Sequence, residues 1–509
     1  MLLFFTLAYL IINVVVGFWA SKKVKNTSDF ALAGRNLSVL VAGVSIFATW
    51  FGSETIMSSS GEFAKGGLLA VIKEPFGAVL CLFLIGFLFA KPLYRLNIVT
   101  FSDYFRLRFG RTVELVSAVF LVYSYFSWIA GQFKAMGGIM HTLTSSYGDW
   151  AIAPEVGIVI GAVIIASYTC IGGMWAVSYT DFIQTIVIIG GLIFLAGSLW
   201  VAAGGWEPIA AAQSEGFFHI VPQAGTVYED PHLSSWWVYI AAWITLGLGS
   251  IPQQDVFQRT MSTRNQQSAA KSAYLSAFMY LTIAMFPLFI GMAGKYLYPH
   301  LFSTETEQLE GFLLLVLQSH AGTWLQILFY GALTSAIMST ASGAILAPAT
   351  IVTENLVRPL FPHLTDKSVL RILRATVIII TILSMISALS GASIYELNAE
   401  TATITLVSLL VPLAFGIFWK RTSGIAAIGA MVIGFATWMI VDEMIAAQYM
   451  SDEIPSLFHG FFASILAGVM LTLIFPNKLP IPQPLKLGSE LREKAVETQK
   501  DTEKEASIA

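Results

Sequence analysis

The chain has 509 residues, of which 56% are hydrophobic and 12% are charged, and its mean hydropathy is +0.73. Soluble globular proteins carry about 25% charged residues, so this composition excludes that class and predicts a polytopic membrane protein. Its two cysteines, Cys81 and Cys170, both lie in apolar segments and predict no disulfide framework. Nothing in the charge pattern indicates a nucleic-acid partner.

The N-terminal segment is an apolar run from Leu2 to Trp19 that is followed by Lys22, Lys23 and Lys25. A cleaved signal peptide has the opposite order, with positive charge before the apolar run and a small-residue cleavage site after it. We therefore predict an uncleaved spanning helix whose N-terminus lies outside.

About twenty apolar residues span a bilayer, and by that rule the chain has about thirteen membrane-spanning helices. They are predicted at residues 2–21, 38–60, 68–91, 113–142, 153–171, 177–203, 233–252, 270–296, 322–355, 370–390, 394–416, 421–446 and 456–475. The segments that this order places inside hold 24 of the 28 Lys and Arg residues, with Arg259 counted among them, as the positive-inside rule requires. The predicted fold is an all-α integral membrane protein with its C-terminus inside.

Two regions follow from this topology. Residues 1–476 are predicted to form one transmembrane domain, and residues 477–509 a charged cytoplasmic tail that is disordered or partly helical. A transporter-like membrane sensor is an alternative function, but a tail of about thirty residues is too short for a fused kinase.

One stretch, Phe47–Glu54, interrupts the second predicted span with polar residues. Gly52, Ser53 and Glu54 stand inside the otherwise apolar run Leu37–Met57. A carboxylate inside the bilayer is costly unless it is paired or faces water. Gly beside Ser weakens a helix and can free backbone carbonyls. We therefore predict a broken helix whose break binds an ion and a solute.

A second interrupted helix is predicted at Leu246–Asp255, five spans after the first. Paired interrupted helices in corresponding halves of a chain indicate an inverted repeat, with solute and ion sites at the midplane between them. We predict a five-plus-five inverted repeat in which spans 2–6 form one unit and spans 7–11 form the other. The predicted directions of the spans agree with an inverted repeat, because span 2 runs from inside to outside and span 7 runs from outside to inside.

The ninth predicted span has a face of small and hydroxyl residues. Ala336, Ser339 and Thr340 share that face by the i, i+3, i+4 rule. Na+ is a hard cation that prefers several oxygen ligands, as Ca²⁺ does. Two hydroxyls, together with carbonyls freed between Ala48 and Phe51, would supply such ligands. Small residues also permit close helix packing, so packing alone is the alternative explanation.

Two carboxylates inside the predicted spans have alternative roles. Asp181, near the inner end of the sixth span, is either a solvated residue at a helix start or an anion that supports the ion site electrostatically. Glu54 could attract a cationic solute, hydrogen-bond a solute or bind a proton. Alternatively, Glu54 lies near the outer mouth and pairs with Lys65 or Lys73. Glu74, within Lys73-Glu74-Pro75 of the third predicted span, raises the same question.

Trp50, Trp128 and Trp243 lie inside predicted spans, away from the aromatic belts at the membrane interfaces. Aromatic rings can hold a quaternary ammonium by cation–π attraction of about 0.5–2 kcal/mol per ring, although packing is the commoner role of a buried Trp. The sequence has no nucleotide-binding loop, zinc motif, haem signature or nucleophile elbow. We therefore expect no enzymatic activity and no cofactor other than a coupling ion.

Several motifs together resemble the sodium:solute symporter family across residues 1–475. They are Asp103-Tyr-Phe-Arg, Gly172-Gly173 with Tyr179-Thr-Asp-Phe-Ile-Gln, Gly249-Ser-Ile-Pro with Phe257-Gln-Arg, and Ala336-Ile-Met-Ser-Thr. The resemblance implies a five-plus-five inverted repeat flanked by extra helices, and solute uptake coupled to sodium. It further implies a sodium site formed by backbone carbonyls, two hydroxyls and a supporting aspartate, which correspond here to Ala48, Phe51, Ala336, Ser339, Thr340 and Asp181.

The resemblance leaves the solute open. Trp50 and Trp128 match two cage aromatics of the choline-transporting branch. At three further positions that branch has Trp, Tyr and Asp, where this chain has Gln253, Ala78 and Ser342. A cage without two of its walls would hold choline poorly. The Ser339–Thr340 pair instead resembles the proline-transporting members.

These observations predict a Na+-coupled symporter that imports a small organic solute by alternating access through the plasma (inner) membrane. The solute is expected to be an amino acid such as proline, or a betaine- or choline-like amine. We expect it between the two breaks, against Trp50, Glu54, Trp128 and Gln253. Proton coupling through Glu54 is the alternative mechanism.

Overall fold

The computed structural model describes residues 2–145, 148, 151–226, 231–302, 306–389 and 401–477. Within these ranges the chain is helical without named strands, so the predicted all-α class is confirmed. Nine of the described helices are long and apolar enough to cross a membrane, or ten if one bent pair counts as a single span. Almost all of the predicted cytoplasmic tail lies outside the described residues.

The main helices are numbered here in chain order. The first half contains α1 (Leu2–Ser21), α2 (Val39–Trp50), α3 (Glu54–Ala70), α4 (Ile72–Arg95), α5 (Arg111–Thr144) and α6 (Pro154–Ala202). The second half contains α7 (Trp236–Gly249), α8 (Gln254–Met261), α9 (Gln266–Leu297), α10 (Thr306–His320), α11 (Thr323–Val357), α12 (Asp366–Ala388), α13 (Thr401–Phe418), α14 (Gly424–Ala446) and α15 (Ser456–Ile474). Short helices Thr27–Leu32, Phe101–Phe109 and Trp206–Ala211 flank them.

The first predicted break is present in the structure. Helix α2 begins after its N-cap Ser38, whose Oγ accepts a hydrogen bond from the Val41 N–H at 3.3 Å. It ends at Trp50, and α3 leaves the break at an angle of 64° to α2. The Gly52 N–H donates to the Trp50 carbonyl at 2.8 Å, which replaces the regular helical bond to Ala48. The turn therefore frees the Ala48 carbonyl from the helical ladder.

The second predicted break is also present. Helix α7 ends at Gly249, and α8 begins at Gln254 after four residues without helical structure. The Thr405 hydroxyl donates to the Gly249 carbonyl at 2.6 Å. A carbonyl left open by the end of α7 is thus satisfied by a side chain of α13.

The fifth and sixth predicted spans follow each other without a loop in the structure. Together they form the 49 residues of α6, which would be about 74 Å long as one helix, more than twice the thickness of a hydrocarbon core. Gly173 divides α6 into two helices, with φ of 50° and ψ of −146°. A Cβ at this position would lie 2.5 Å from the Phe30 carbonyl oxygen. Only glycine therefore satisfies both the backbone conformation and the close approach of the chain at Phe30.

Helix α11 lies at the centre of the protein. Every residue from Phe329 to Ile351 is buried, and α11 packs against α2, α5 and α6. The predicted hydroxyl face of α11 therefore meets other helices and not lipid.

Helix α10 was not predicted from the sequence. Its 15 residues are fewer than the roughly twenty that a spanning helix needs. It packs against α3 and α9, and Gly61 of α3 permits this approach, since a Cβ there would lie 2.6 Å from the Leu309 carbonyl oxygen. Helix α10 therefore flanks α3, the helix that begins at the first break.

Candidate sodium and solute sites

Thr340 of α11 faces the backbone that the first break sets free. Its Oγ1 donates to the Ala48 carbonyl oxygen, with 3.4 Å between the two oxygens, and both residues are fully buried. Two oxygen ligands at about 2.4 Å from one ion, at right angles, lie about 3.4 Å apart. The pair therefore has the spacing of two neighbouring ligands of a hard cation.

Ser339, the residue before Thr340, contacts Asp181 of α6. Its Oγ donates to Asp181 Oδ1 at 2.6 Å, and the Ser45 hydroxyl donates to the other carboxylate oxygen. Asp181 has no exposed surface, so the predicted alternative of a solvated helix-start residue is wrong. A hydroxyl that donates its proton to a carboxylate keeps its lone pairs available for an ion.

Arg259 differs from the prediction, which counted it among the positive charges of the cytoplasmic segments. Its side chain is fully buried and Nη2 lies 3.4 Å from Asp181 Oδ2. Nε donates to Ser45 Oγ at 2.9 Å, and Nη1 donates to the Asp255 carbonyl at 3.3 Å. Gly343 leaves the necessary space, since a Cβ there would lie 2.6 Å from Nη2. A buried carboxylate without a cationic partner is strongly destabilising. Arg259 therefore pairs with Asp181 inside the protein and does not lie at the cytoplasmic surface.

The two remaining predicted sodium residues, Phe51 and Ala336, are also fully buried. Phe51 directly precedes Gly52, where an added Cβ would lie 2.6 Å from Thr340 Oγ1. Ala336 lies one turn before Thr340 in α11. The structure thus brings all six predicted residues to one region, and their binding of sodium remains a prediction.

All four predicted solute residues line one cavity beside the break. The cavity is partly open to solvent, and its wall includes Trp50, Glu54, Trp128 and Gln253. Their role in solute binding remains a prediction. The third tryptophan of the predicted set, Trp243, instead packs beside the small apolar cluster of Leu69 and Ile72.

Glu54 accepts hydrogen bonds on both carboxylate oxygens. Trp128 Nε1 donates to Oε1 at 2.9 Å, and Gln132 Nε2 donates to Oε2 at 2.8 Å. The Ser53 hydroxyl is a third donor at 3.4 Å, so the direct partners are not the predicted Lys65 or Lys73. Gln132 also accepts from the Ser53 N–H at 3.2 Å. Glu54 therefore fixes the start of α3 to α5.

Asp255 of α8 connects the two breaks, and no role was predicted for it. Trp50 Nε1 donates to its Oδ2 at 2.8 Å, and the Tyr125 hydroxyl donates to its Oδ1 at 2.5 Å. Asp255 is fully buried. One signal was available in the sequence, namely an acidic residue four positions before Arg259 next to a predicted break.

Glu74 also lines the cavity, at the start of α4. Its Oε1 accepts from Thr55 Oγ1 at 2.6 Å and from the Tyr280 hydroxyl at 2.5 Å. The two donors also lie 2.8 Å from each other. Thr55 and Tyr280 carried no sequence signal, because single polar residues on apolar helices are common.

The Asp103 motif has a structural role in the described chain. Asp103 and Thr100 form a capping box at the start of the helix Phe101–Phe109. Asn355 Nδ2 donates to Asp103 Oδ1 at 2.9 Å and to Glu114 Oε1 at 2.8 Å. This network ties the end of α11 to α5, away from the solute cavity.

The sequence profile described as the sodium:solute symporter family matches residues 30–434 of the chain. The high affinity choline transporter 1 of Homo sapiens is 27% identical over 447 residues, which are 84% of this chain and 74% of that protein. The osmoregulated proline transporter OpuE of Bacillus subtilis (strain 168) is 23% identical over 478 residues, which are 92% and 93% of the two chains.

Among solved structures, the chain resembles a Na+-coupled sialic acid symporter in a substrate-bound outward-open state. The TM-score is 0.78 at 21% identity, with 94% of this chain and 99% of that chain covered. A second structure, MhsT in complex with L-phenylalanine, gives a TM-score of 0.54 at 16% identity and covers 86% and 99%. The fold is therefore that of these transporters. With apolar helices of spanning length and a family profile over most of its length, the chain is a multi-pass membrane protein that belongs to the sodium:solute symporter family.

Proposed function

We propose that the protein is a Na+-coupled symporter that imports a small organic solute by alternating access. The observation that carries the proposal is the meeting of Thr340 with the Ala48 carbonyl, which the first break releases from its helix. Family membership supports sodium as the coupling ion.

Sodium would bind where α2 ends against α11. The ligands would be the carbonyls of Ala48, Phe51 and Ala336 and the hydroxyls of Ser339 and Thr340. Asp181 would support the site by accepting a hydrogen bond from the Ser339 hydroxyl, which leaves the oxygen lone pairs of Ser339 free to face the ion. The Thr340 hydroxyl would turn its proton away from Ala48, so that both oxygens face the cation.

The solute would bind in the adjacent cavity, against the indole rings of Trp50 and Trp128 and the polar groups of Glu54 and Gln253. Both sites converge at Gly52. An added Cβ there would lie 2.6 Å from Thr340 Oγ1, 2.9 Å from Gln132 Oε1 and 3.0 Å from Glu54 Oε2. An ion that fixes the backbone at Gly52 would also fix Glu54, and each ligand would raise the affinity for the other.

The complete topology is part of the proposal. It has about thirteen spans, an external N-terminus, a cytoplasmic C-terminus and a five-plus-five inverted repeat, in the plasma (inner) membrane. The two breaks, after Trp50 and after Gly249, support the repeat, because they interrupt helices at corresponding positions of the two predicted units.

The experiment is uptake into proteoliposomes with imposed gradients. The solute is first selected by a thermal-shift screen of amino acids and amines with and without sodium, since ligands that bind the folded state raise its apparent stability. An inward sodium gradient should drive accumulation above equilibrium. Accumulation that is driven by a pH gradient in sodium-free buffer, and not by sodium, would instead establish proton coupling.

A further inference from the structure

The solute cavity contains more negative than positive groups. Among the described residues, its wall includes the carboxylates of Glu54, Glu62 and Glu74 and one ammonium, that of Lys73. Lys73 interacts electrostatically with both Glu74 and Glu54. One ammonium cannot neutralise both Glu54 and Glu74, so a bound cation lowers the electrostatic energy of this cavity more than a neutral or anionic solute does.

Glu54 and Glu74 differ in their remaining hydrogen-bonding capacity. Both oxygens of Glu54 already accept protein donors, from Trp128 and from Gln132 and Ser53. Both donors of Glu74 converge on Oε1. Its Oε2 accepts no hydrogen bond from any residue in the described ranges. Of these two carboxylates, Glu74 therefore has the acceptor oxygen that is available to a solute.

The position of Glu74 is fixed by its two donors. Thr55 lies in α3 just after the break, and Tyr280 lies in α9. Their hydroxyls hold Oε1 from two different helices, so the carboxylate has a defined orientation without an ordering cost at binding. The indole rings of Trp50 and Trp128 line the same cavity and offer faces for a hydrocarbon portion or a cation.

We propose that Glu74 binds a protonated amine of the solute, which donates an N–H to Oε2 while its hydrocarbon portion packs on the two indole rings. The solute class is a primary, secondary or tertiary ammonium compound. A quaternary ammonium has no N–H and cannot make this bond. The inference rests on the proposed function, because it assigns a chemical class to the solute of the same cavity.

The test compares two probes that differ at one group, 2-(dimethylamino)ethanol and choline. At neutral pH both carry one positive charge, but only the first has an N–H. Their apparent affinities for the full-length protein are measured by thermal shift in saturating sodium. A hydrogen bond to a charged group contributes about 1.5–3 kcal/mol, so the tertiary amine should bind about 10- to 150-fold more tightly.

Two variants separate the hydrogen bond from general charge. Glu74→Gln should reduce the preference for the tertiary amine to less than about threefold. The matched control Glu62→Gln removes the same formal charge from the same cavity and should keep the preference. Equal or tighter binding of choline by the wild type would overturn the proposal, and this comparison needs no variant to fold. A preference that survives Glu74→Gln would also overturn it.

The outcome is independent of ion coupling. If the preference depends on Glu74 but sodium gradients drive no uptake, the proposed function fails and the amine site stands. If sodium drives uptake and choline binds as well as the tertiary amine, the amine site fails and the proposed function stands.

Discussion

The substitution Gly52→Ala tests whether the sodium and solute sites are coupled through the break. The new methyl carbon would lie 2.6 Å from Thr340 Oγ1, 2.9 Å from Gln132 Oε1 and 3.0 Å from Glu54 Oε2. Each distance is shorter than an ordinary carbon–oxygen contact, so at least one of these groups must move. Thr340 and Glu54 belong to the two proposed sites, and the same methyl group therefore disturbs both.

The magnitude follows from the cost of inserting a methyl group into a packed interior, which is about 1–3 kcal/mol. If that cost falls on the ligand-bound state, the apparent affinity for sodium decreases about 5- to 150-fold. The solute affinity should decrease in the same variant, because Gln132 holds both Glu54 and the Ser53 N–H.

The assay is the sodium concentration that gives half-maximal thermal stabilisation, with and without solute. Gly138→Ala is the matched control, since it adds a methyl group to α5 where, apart from the adjoining helix backbone and the two neighbouring residues, no heavy atom of the described structure lies within 4 Å. The control should keep the wild-type sodium dependence. Wild-type sodium and solute affinities in Gly52→Ala would show that the two sites do not meet at this residue.

Three further predictions concern buried polar groups. Arg259→Met should lower the free energy of unfolding by about 3–5 kcal/mol, because Asp181 loses its cationic partner. Adding the substitution Asp181→Asn should recover part of that loss, because it removes the unpaired charge. Denaturant titration in mixed micelles measures the free energy of unfolding of both variants. Glu54→Gln should weaken solute binding about tenfold or more in a thermal-shift titration, since it removes the negative charge to which Trp128 and Gln132 donate hydrogen bonds. Asn355→Ala should lower the free energy of unfolding by about 1–3 kcal/mol without changing the sodium dependence, because it removes a donor from the buried Glu114.

Each of these has a clear contrary result. An additive loss in the Arg259→Met and Asp181→Asn pair would show that the two side chains do not interact. Unchanged solute affinity in Glu54→Gln would exclude this carboxylate from the solute site. A shifted sodium dependence in Asn355→Ala would mean that the α11 network is coupled to the ion site.

The two breaks could be predicted from the sequence because each contradicts its surroundings. Gly52, Ser53 and Glu54 interrupt an apolar run, and the segment Leu246–Asp255 contains two glycines, a proline and polar residues. The same holds for the hydroxyl pair Ser339 and Thr340. In each case the cost of a polar group or an irregular backbone inside the membrane is the signal, and it is visible without any tertiary information.

The partners of these groups could not be predicted, because they come from distant parts of the chain. Gln132 lies 78 residues from Glu54, and Tyr280 lies 206 residues from Glu74. Arg259 illustrates the reverse error. The sequence places it close to Arg264 and Lys271, which suggests a cytoplasmic segment, whereas the packed structure takes it to Asp181. Rules based on length, hydropathy and charge predict where a helix lies in the membrane. They do not predict which buried groups its side chains contact.

The predicted spans omitted one helix and placed one break correctly. A minimum length of about twenty residues omitted α10, which has 15 and flanks α3. The glycine pair at 172–173 indicated a turn between two helices, and the structure leaves the helical conformation at Gly173. A length rule does not find a short helix that packs beside the spans, whereas a glycine pair inside an apolar run indicates a break without tertiary information.

The most direct test of the account is sodium-driven uptake by two hydroxyl variants in proteoliposomes. Ser339→Ala and Thr340→Ala each remove one proposed sodium ligand, while the cavity residues remain. Under an inward sodium gradient we predict that each variant accumulates much less solute than the wild type, and that it needs a higher sodium concentration for half-maximal uptake. Unchanged sodium-driven accumulation in both variants would contradict the proposed sodium site.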